Sequence, residues 1–589
     1  MRPRGSRRAL FALVAAGGIL ASGAPEVAAQ VVGAPVAREV LRDAPGVRPT
    51  DPQDLPAYDG ERVLPPLPPP PDPRPPSAGT PPATEGARVV LRAIAFEGNV
   101  VLSDETLDEV AAPWLERPLG GTDLEALRDA LTAAYVRAGY LTSGALFPGQ
   151  ALGRDARLVV RLVEGRLSRV DVSGATRVAP DYYASRILHG LDGPLHVPSL
   201  EARLRRLQRD PRLAGLHATI RPGERRGEAI LDVAVEEKPA ISAAVTVHNQ
   251  LAPSLGEVRF GAVVANQSFS GAGDTLLVGG DWSEAGGGFE VAYRRPLDAS
   301  DTLVHALGRY RRFDVSDGTG RRLDFESEYW SVEAGLYRPI RPVGRLEDWE
   351  FGVGLVGELA QSEITFLPTD EPFPLPGAPT GRTRLATLRL VLDAVHRQPG
   401  QVVALRSIST LGLDAFGATR SDDDLPDARF WAWNAQLQAA RRFTDQDIEL
   451  VGRVGLQLTN ARVFGLAQFA LGGHPSVRGY RQNRIVRDEG VVGGLEARIP
   501  LWRDAFDRRP IVQLVPFFDG GRAFSRHFRT DTLRSESLAS VGVGLRARLG
   551  ELAFGEFYWG APLLSDGDTD GESALQDEGF HFRVTATWP

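Results

Sequence analysis

The last strand-like segment of the chain, residues 580–588, reads FHFRVTATW. Apolar and polar residues alternate, so a β-strand here would carry large apolar side chains on one face and histidine, arginine and threonine on the other. Residues 541–549 and 448–459 show a similar pattern. A soluble sandwich also alternates, but its strands are usually nearer five or six residues and its polar face meets solvent. Longer stripes favour a barrel with lipid outside and a polar lumen.

Alternating segments of this kind fill the chain from residue 239 onward. They divide into about sixteen strands, with roughly 22 residues for each strand and its loop, which suits membrane-crossing strands of about 9–11 residues. The sequence therefore predicts an antiparallel transmembrane β-barrel over residues 239–589. After the N-terminal leader, no run of eighteen or so apolar residues predicts a helical span.

Two repeats precede the predicted barrel, and equivalent glycines at Gly98 and Gly174 mark them. Each repeat opens with an alternating strand-like stretch that stops at the glycine, continues with leucines at helical spacing, and closes with another strand-like stretch. The repeats predict two small α+β modules, at residues 87–165 and 166–238.

The helices of these modules have recognisable start signals. Thr122 and Glu125 form the pattern of a capping box before a helix in the first module. In the second module, Ser199 precedes leucines at helical spacing. Helices are therefore expected to begin close to these residues.

The N-terminal region predicts export. Residues 1–29 combine arginines, a short apolar run and a small-residue cleavage site, as in a secretory signal peptide. Residues 30–86 are rich in proline and predict an extended spacer, with one possible short helix at residues 35–43. The chain contains no cysteine, which excludes disulfides, thiolate metal sites and a cysteine nucleophile.

Two motifs stand out within the predicted barrel. The first, Val477-Arg478-Gly479-Tyr480, lies in a long loop at residues 461–489, between the eleventh and twelfth predicted strands. The second, Phe517-Phe518-Asp519-Gly520-Gly521, lies on the thirteenth. An arginine and an aspartate can form a charge-assisted pair where water is scarce. Pairing Arg478 with Asp519 requires the loop to fold back into the lumen.

Other constellations do not predict a catalytic, cofactor or metal site. The glycines of residues 352–357 match a dinucleotide-binding pattern, but they lie in a strand-like segment with no helix after it. The histidines show no paired metal-ligand spacing. The net charge of −8 and the absence of a basic block disfavour nucleic-acid binding. The sequence predicts a protein that is not an enzyme.

The chain resembles the outer-membrane transporters of two-partner secretion, the TpsB or haemolysin-activator and haemagglutinin-secretor family, over nearly its whole mature length. Both barrel motifs match the wider barrel superfamily. The repeats resemble polypeptide-transport-associated (POTRA) domains, on the strength of the segments Tyr135-Val136-Arg137-Ala138-Gly139-Tyr140, Phe147-Pro148-Gly149-Gln150 and Leu204-Arg205-Arg206-Leu207-Gln208-Arg209-Asp210-Pro211. The chain departs from the family in ending with Pro589 instead of an aromatic residue.

This resemblance implies a Gram-negative outer-membrane transporter that is a monomeric barrel in outer-membrane lipid, with its POTRA domains in the periplasm. It implies that a large secreted β-helical exoprotein of TpsA type is the partner. Arg478 and Asp519 would anchor the lumen loop, and a helix before the spacer would plug the lumen. Candidate docking residues for the partner are Tyr135, Gly139, Tyr140 and Gln150.

Two alternatives remain open on the residues. An assembly factor for other outer-membrane proteins shares the barrel motifs, although such factors typically carry more POTRA domains. A passive porin or surface receptor would need no POTRA repeats.

Overall fold

A computed structural model describes residues 88–588 apart from 151–155, 317–321, 343–347, 422–424, 444–446, 506–508, 526–534, 551 and 565–573. The predicted signal peptide, plug helix and proline-rich spacer lie outside the described residues. The chain divides into two compact units, which meet in the sequence between Lys238 and Pro239. No helix among the described residues is long and apolar enough to cross a membrane.

The first module of the N-terminal unit packs two helices on a small sheet. Its elements are β1 (Val89–Val90), β2 (Ala93–Glu97), α1 (Asp104–Ala111), β3 (Pro118–Leu119), α2 (Gly121–Arg137), β4 (Gly144–Leu146) and β5 (Arg157–Val163). Strand β5 is central, parallel to β2 and antiparallel to β4. Its alternate residues Leu158, Val160 and Leu162 face leucines of both helices, so the apolar period of each element builds one core.

The second module repeats this architecture. Its elements are β6 (Arg166–Ser173), α3 (Pro180–Leu188), α4 (Val197–Gln208), β7 (Leu213–Pro222) and β8 (Glu228–Glu237). Strand β8 is central, between parallel β6 and antiparallel β7. The helical leucines Leu200, Leu204 and Leu207 are buried against the sheet, as their spacing predicts.

The helix starts differ from the sequence prediction. Helix α2 begins at Gly121, and its N-cap is Gly120, whose backbone N–H donates to the carboxylate of Asp123 at 2.8 Å. The capping box predicted from Thr122 and Glu125 is therefore wrong, because the shorter acid two residues earlier reaches back to an N-cap that has no side chain. Helix α4 likewise begins at Val197, before Ser199.

The marker glycines of the two repeats are required by the backbone. Gly98 has φ +87° and Gly174 has φ +81°, a region that L side chains rarely adopt. A Cβ atom would lie 2.6 Å from the carbonyl oxygen of Leu162 in the first module and 2.1 Å from that of Val235 in the second. The glycines thus let the chain turn tightly over the end of the central strand.

A carboxylate holds each of these turns in place. Glu164 accepts hydrogen bonds from the hydroxyl of Tyr135 and from the backbone N–H groups of Val100 and Val101. Glu237 accepts from the hydroxyl of Tyr183 and from three successive backbone N–H groups, those of Thr176, Arg177 and Val178. The same type of clamp therefore recurs in both modules.

This clamp changes the ionisation of its members. Burial disfavours the charged form of Glu237, but the hydrogen bonds from Thr176, Arg177 and Val178 outweigh it and lower the pKa of this carboxyl. Burial, together with the adjacent carboxylate, raises the pKa of Tyr135 and Tyr183. The hydroxyls therefore remain donors to the carboxylates.

The second unit is a closed barrel with sixteen wall strands among the described residues. They are β9 (Ile241–His248), β10 (Arg259–Asn266), β11 (Thr275–Ser283), β12 (Gly286–Pro296), β13 (Leu303–Ser316), β14 (Arg322–Ile340), β15 (Trp349–Phe366), β17 (Arg382–Gln398), β18 (Gln401–Leu413), β19 (Trp431–Phe443), β20 (Ile448–Thr459), β23 (Glu489–Arg503), β24 (Pro510–Phe524), β25 (Ser535–Leu549), β26 (Ala553–Pro562) and β27 (Phe580–Trp588). Short β16 (Glu371–Pro372) extends β15, and β21 (Phe469–Leu471) pairs with β22 (Ile485–Arg487). Each strand pairs antiparallel with its sequence neighbour, and β27 closes on β9.

The two faces of the wall have opposite chemistry. On β27, Val584 and Trp588 are about half exposed on the outside, while His581, Arg583 and Thr585 are buried inside. Closure pairs the strand edges, so that the backbone polar groups need no hydrogen bonds from lipid. The predicted fold, two α+β modules followed by an antiparallel barrel of about sixteen strands, is confirmed.

Candidate functional site

The long loop between β20 and β23 folds against the inner wall of the barrel. The hairpin β21–β22 forms its stem, and the turn beyond it contains Gly472 and Gly473, both at positive φ. The hydroxyl of Ser476 donates to the carbonyl of Gly472 and accepts from its N–H, which fastens the turn. These local bonds present the next residues, Val477 to Tyr480, to the wall.

Arg478 meets Asp519 on β24, as its motif predicts. Its Nε lies 2.7 Å from Oδ2 of Asp519 and a terminal nitrogen lies 3.0 Å from Oδ1, which is the bidentate geometry of a guanidinium and a carboxylate. The backbone N–H of Arg478 donates to the same carboxylate. Its other terminal nitrogen lies 2.8 Å from Glu496 on β23. Arg478 is 2% exposed, so the charges interact largely without water.

Each carboxylate has a second arginine partner. Arg453 on β20 donates to Asp519 at 3.1 Å and also to loop carbonyls. Arg498 on β23 donates to Glu496 at 2.8 Å. The site is thus a network of three arginines and two acids, and the loop contributes one of the arginines.

Aromatic rings of the wall complete the arginine pocket. The guanidinium carbon of Arg478 lies 3.8 Å from the ring centroid of Phe517 and 4.9 Å from that of Tyr558. These distances are those of cation–π contacts. Phe517 precedes Asp519 by two residues on the same strand, so both side chains point to the lumen.

Glycines make room for the close approach of loop and wall. At Gly494, opposite Asp519, a Cβ would lie 2.4 Å from its carboxylate. At Gly521, a Cβ would lie 2.6 Å from loop residue Leu471. At Gly479, which has φ +91°, it would lie 2.7 Å from the carbonyl oxygen of Gly560. At Gly494, Gly521 and Gly479, any larger residue would therefore clash with a neighbouring group.

The remaining motif residues pack the loop. Val477 and Tyr480 are buried in an apolar cluster that includes Leu471, Ile485 and Leu538. The hydroxyl of Tyr480 lies 2.9 Å from the carbonyl oxygens of Ala539 and Leu564. The loop is therefore held by packing as well as by charge.

Sequence reasoning missed Glu496, Arg453 and Arg498. The alternation of β23 and β20 places them on the lumen face, and that is the signal available from the sequence. Many other charged residues lie on the lumen face. Which of them contact Arg478 depends on the path of the folded loop, which the sequence pattern does not predict.

The POTRA docking candidates occupy different environments. Tyr135 is fully buried and donates to Glu164, so its predicted docking role is corrected to a core role. Gly139 and Tyr140 lie where the two modules meet. The carbonyl of Gly139 accepts from the N–H of Val197, and the ring of Tyr140 lies 5.1 Å from that of His196.

Gln150 is the docking candidate with an exposed side chain. Its amide nitrogen donates to the carbonyl of Val159 at 2.7 Å, and its amide oxygen accepts from the N–H of the same residue at 2.8 Å. The amide thus occupies a strand-like position beside β5, where β4 no longer pairs with it.

Comparison with known proteins identifies the first of these modules. Residues 89–165 match the model of the POTRA domain of ShlB type. Residues 379–547 match the family model described as haemolysin secretion/activation protein ShlB/FhaC/HecB, a segment that contains the lumen loop and the Asp519 strand. In both matched segments the chain resembles this family of two-partner secretion transporters. It is an outer-membrane transporter, and its POTRA domains lie in the periplasm.

Relatives of similar length support this assignment. The chain is 26% identical over 498 residues to the outer membrane transporter CdiB of Escherichia coli, covering 83% of this chain and 81% of that one. It is 23% identical over 486 residues to CdiB of Dickeya dadantii, covering 79% and 82%.

Solved structures show the same fold. CdiB from Escherichia coli matches with a TM-score of 0.62 and 23% identity, over 86% of this chain and 93% of that one. BamA from Haemophilus ducreyi lacking POTRA domains 1–3 matches with a TM-score of 0.52 and 13% identity, over 85% and 100%. At these identities, the two likenesses show the fold alone.

Proposed function

We propose that this transporter exports one large partner exoprotein of β-helical type in an unfolded state, and that the loop carrying Arg478 gates its passage. The POTRA domains receive the partner in the periplasm, and the polar lumen conducts it to the cell surface. The transporter performs no catalytic chemistry, needs no cofactor, and acts as a single barrel in outer-membrane lipid. In this proposal the chain has four functional parts: a signal peptide, a linker, two POTRA domains and the barrel.

The seated loop is the observation that carries this proposal. Loop residues Leu466 and Ala467 line one cavity together with wall residues such as Arg309, Arg389 and Gln457. Because the loop lies against the inner wall of the barrel, we propose that it moves aside during export.

The lining of this cavity suits an unfolded chain. Arg309, Arg389, Glu358, Asn434 and Gln436 offer hydrogen bonds to backbone groups that would otherwise be desolvated. No nucleotide motif is recognised in the sequence, so folding of the partner outside the cell is the proposed source of direction.

Partner recognition in the periplasm is proposed to use strand addition. Strand β7 lies at the edge of its sheet, and an extended segment can pair with such an edge through main-chain hydrogen bonds. Gln150 marks a second position, since its amide makes bonds that a partner backbone could replace. Main-chain pairing makes few sequence demands, as an unfolded substrate requires.

Deletion of the gene, with complementation by wild type or Arg478→Ala, tests this function. The culture-medium and outer-membrane proteomes are compared with those of the parent strain. Loss of one large protein from the medium, restored by wild type and not by an inserted Arg478→Ala barrel, is the expected result. A broad loss of barrel proteins from the outer membrane would contradict it, and would support an assembly factor.

A further inference from the structure

Among the described wall strands, the shortest ladder joins the first strand to the last. The ladder between β9 and β27 contains six residue pairs, the fewest among the wall contacts of the described strands, whereas β9 and β10 share eight. Inside this seam, the hydroxyls of Thr246 and Thr585 lie 3.0 Å apart. The ladder stops at the pair of His248 and Arg583. With the smallest number of ladder pairs, this contact depends more on hydrogen bonds beyond the end of the ladder.

Asn249, directly after β9, continues the seam beyond the last ladder pair. Its side-chain oxygen accepts from the N–H of Phe582 at 2.8 Å, and its own N–H donates to the carbonyl of Phe582. Its amide nitrogen also donates to the carbonyl of Phe580 at 2.9 Å. Asn249 is 1% exposed, so these bonds are protected from water. One side chain thus replaces ladder bonds at the outer end of the seam.

Gln576 connects this extension with the tip of the lumen loop. Its amide nitrogen donates to the carbonyls of Asn249 and Leu251, and its amide oxygen accepts from the backbone N–H of Gln482 at 2.7 Å. Gln576 is fully buried. Beside it, Arg481 of the loop pairs with Asp577. The loop tip therefore orients the amide that holds the first strand.

We propose that Asn249 and Gln576 form a latch that closes the seam while the lumen loop is seated, so that displacement of the loop loosens the contact between β9 and β27. When the loop leaves, the oxygen of Gln576 loses the N–H of Gln482. A buried amide with an unmet acceptor is costly, so Gln576 turns toward water and releases Asn249 and Leu251. Displacement of the lumen loop and loosening of the contact between β9 and β27 are then coupled.

The chain provides a matched control for this latch. Asn460, directly after β20, accepts from the N–H of Trp431 at 2.7 Å through its side chain and donates its own N–H to the same residue. It thus extends the ladder between β19 and β20 as Asn249 extends the seam. No hydrogen bond joins it to Gln576 in the described structure.

Single-channel recording of the purified full chain in planar bilayers tests the latch without any exported partner. Gln576→Ala is expected to raise the open probability about tenfold, on the order of losing one or two buried hydrogen bonds. Gln576→Glu, which keeps an acceptor and loses the donors to Asn249 and Leu251, is expected to do the same. Asn460→Ala is expected to change it by less than about twofold. Equal effects of Gln576→Ala and Asn460→Ala would overturn the latch.

A reversible lock on the seam distinguishes the latch from a local effect on the loop. The chain has no cysteine, so Thr246→Cys with Thr585→Cys forms one defined disulfide across the seam. Val245→Cys with Ala586→Cys provides the equivalent lock on the lipid face of the same strands. Oxidation is expected to abolish the rise caused by Gln576→Ala, and reduction to restore it.

Both results have a clear meaning for the latch. Electrophoretic heat modifiability and disulfide formation establish first that each variant is a folded barrel. If the rise persists in an oxidised barrel, Gln576 acts on the loop alone and the coupling is refuted. Because no partner is present, failure of the latch is distinguishable from failure of the proposed export.

Discussion

Replacing Arg478 by alanine removes the arginine that ties the loop to the wall. The change deletes the bidentate contact with Asp519, the contact with Glu496 and the cation–π contacts with Phe517 and Tyr558. Breaking a buried ion pair on one side typically costs about 3–5 kcal/mol. The lower end applies, because Asp519 keeps Arg453.

A loss of about 3 kcal/mol lowers the ratio of seated to displaced loop roughly 150-fold. We expect the barrel to insert and secretion to stop, because the loop no longer returns to its seat. Arg478→Lys keeps the charge without the planar fork, so an intermediate defect is expected. Arg487→Ala is the matched control, since Arg487 lies on the same hairpin and pairs with Glu536 at a partly exposed site, where an ion pair is worth at most about 1 kcal/mol.

Cysteine labelling measures the loop directly. Ser476 is 8% exposed in the seated loop, and cysteine is close to it in size. A membrane-impermeant maleimide is expected to label Ser476→Cys slowly in the otherwise wild-type chain and in Arg487→Ala, and rapidly in Arg478→Ala. Normal secretion together with slow labelling in Arg478→Ala would refute the anchoring role.

Three further predictions concern the loop glycine and the POTRA domains. Gly479→Ala should displace the loop, because its Cβ would lie 2.7 Å from Gly560, and unchanged labelling of Ser476→Cys would contradict this. Glu237 has a lowered pKa, so its stabilisation of the second module is present above the unfolded pKa and lost as the pH falls through the folded value. Glu237→Gln should therefore speed hydrogen exchange at residues 174–183 at neutral pH and remove most of its acid dependence; a wild-type pH profile would exclude the clamp. Tyr140→Ala should loosen the junction with His196 and speed proteolysis there without changing barrel insertion, and an unchanged digestion rate would contradict it.

The wall strands were predictable because a membrane constrains both of their faces. Lipid requires apolar side chains outside, the lumen admits polar ones, and strand geometry alternates the two. That alternation located residues 580–588, and the structure has β27 at Phe580–Trp588. The turns at Gly98 and Gly174 were equally predictable, because each glycine has a backbone conformation that other residues rarely adopt.

Features that depend on tertiary contacts between distant parts of the chain were less predictable from the sequence. Thr122 and Glu125 match the capping-box pattern, but the carboxylate of Asp123 accepts from the N–H of Gly120 instead. The helix therefore begins at Gly121. Tyr135 lies in a family motif, and burial against Glu164 explains its role there better than exposure would. The contact of Arg478 with Glu496 depends on the path of a long loop, which no local periodicity describes.

The network around Arg478 is better suited to a gate than to a permanent plug. Asp519 keeps Arg453 and Glu496 keeps Arg498 when the loop departs, so neither buried acid loses all of its positive partners. Arg478 itself leaves for a wetter environment, where its charge is solvated. Mutating Arg478 to alanine prevents the loop from rebinding the wall. Displacement of the intact loop is reversible, because Asp519 and Glu496 remain paired with arginines of the wall and can bind Arg478 again. The second arginine on each acid therefore lowers the cost of opening while the closed geometry stays specific.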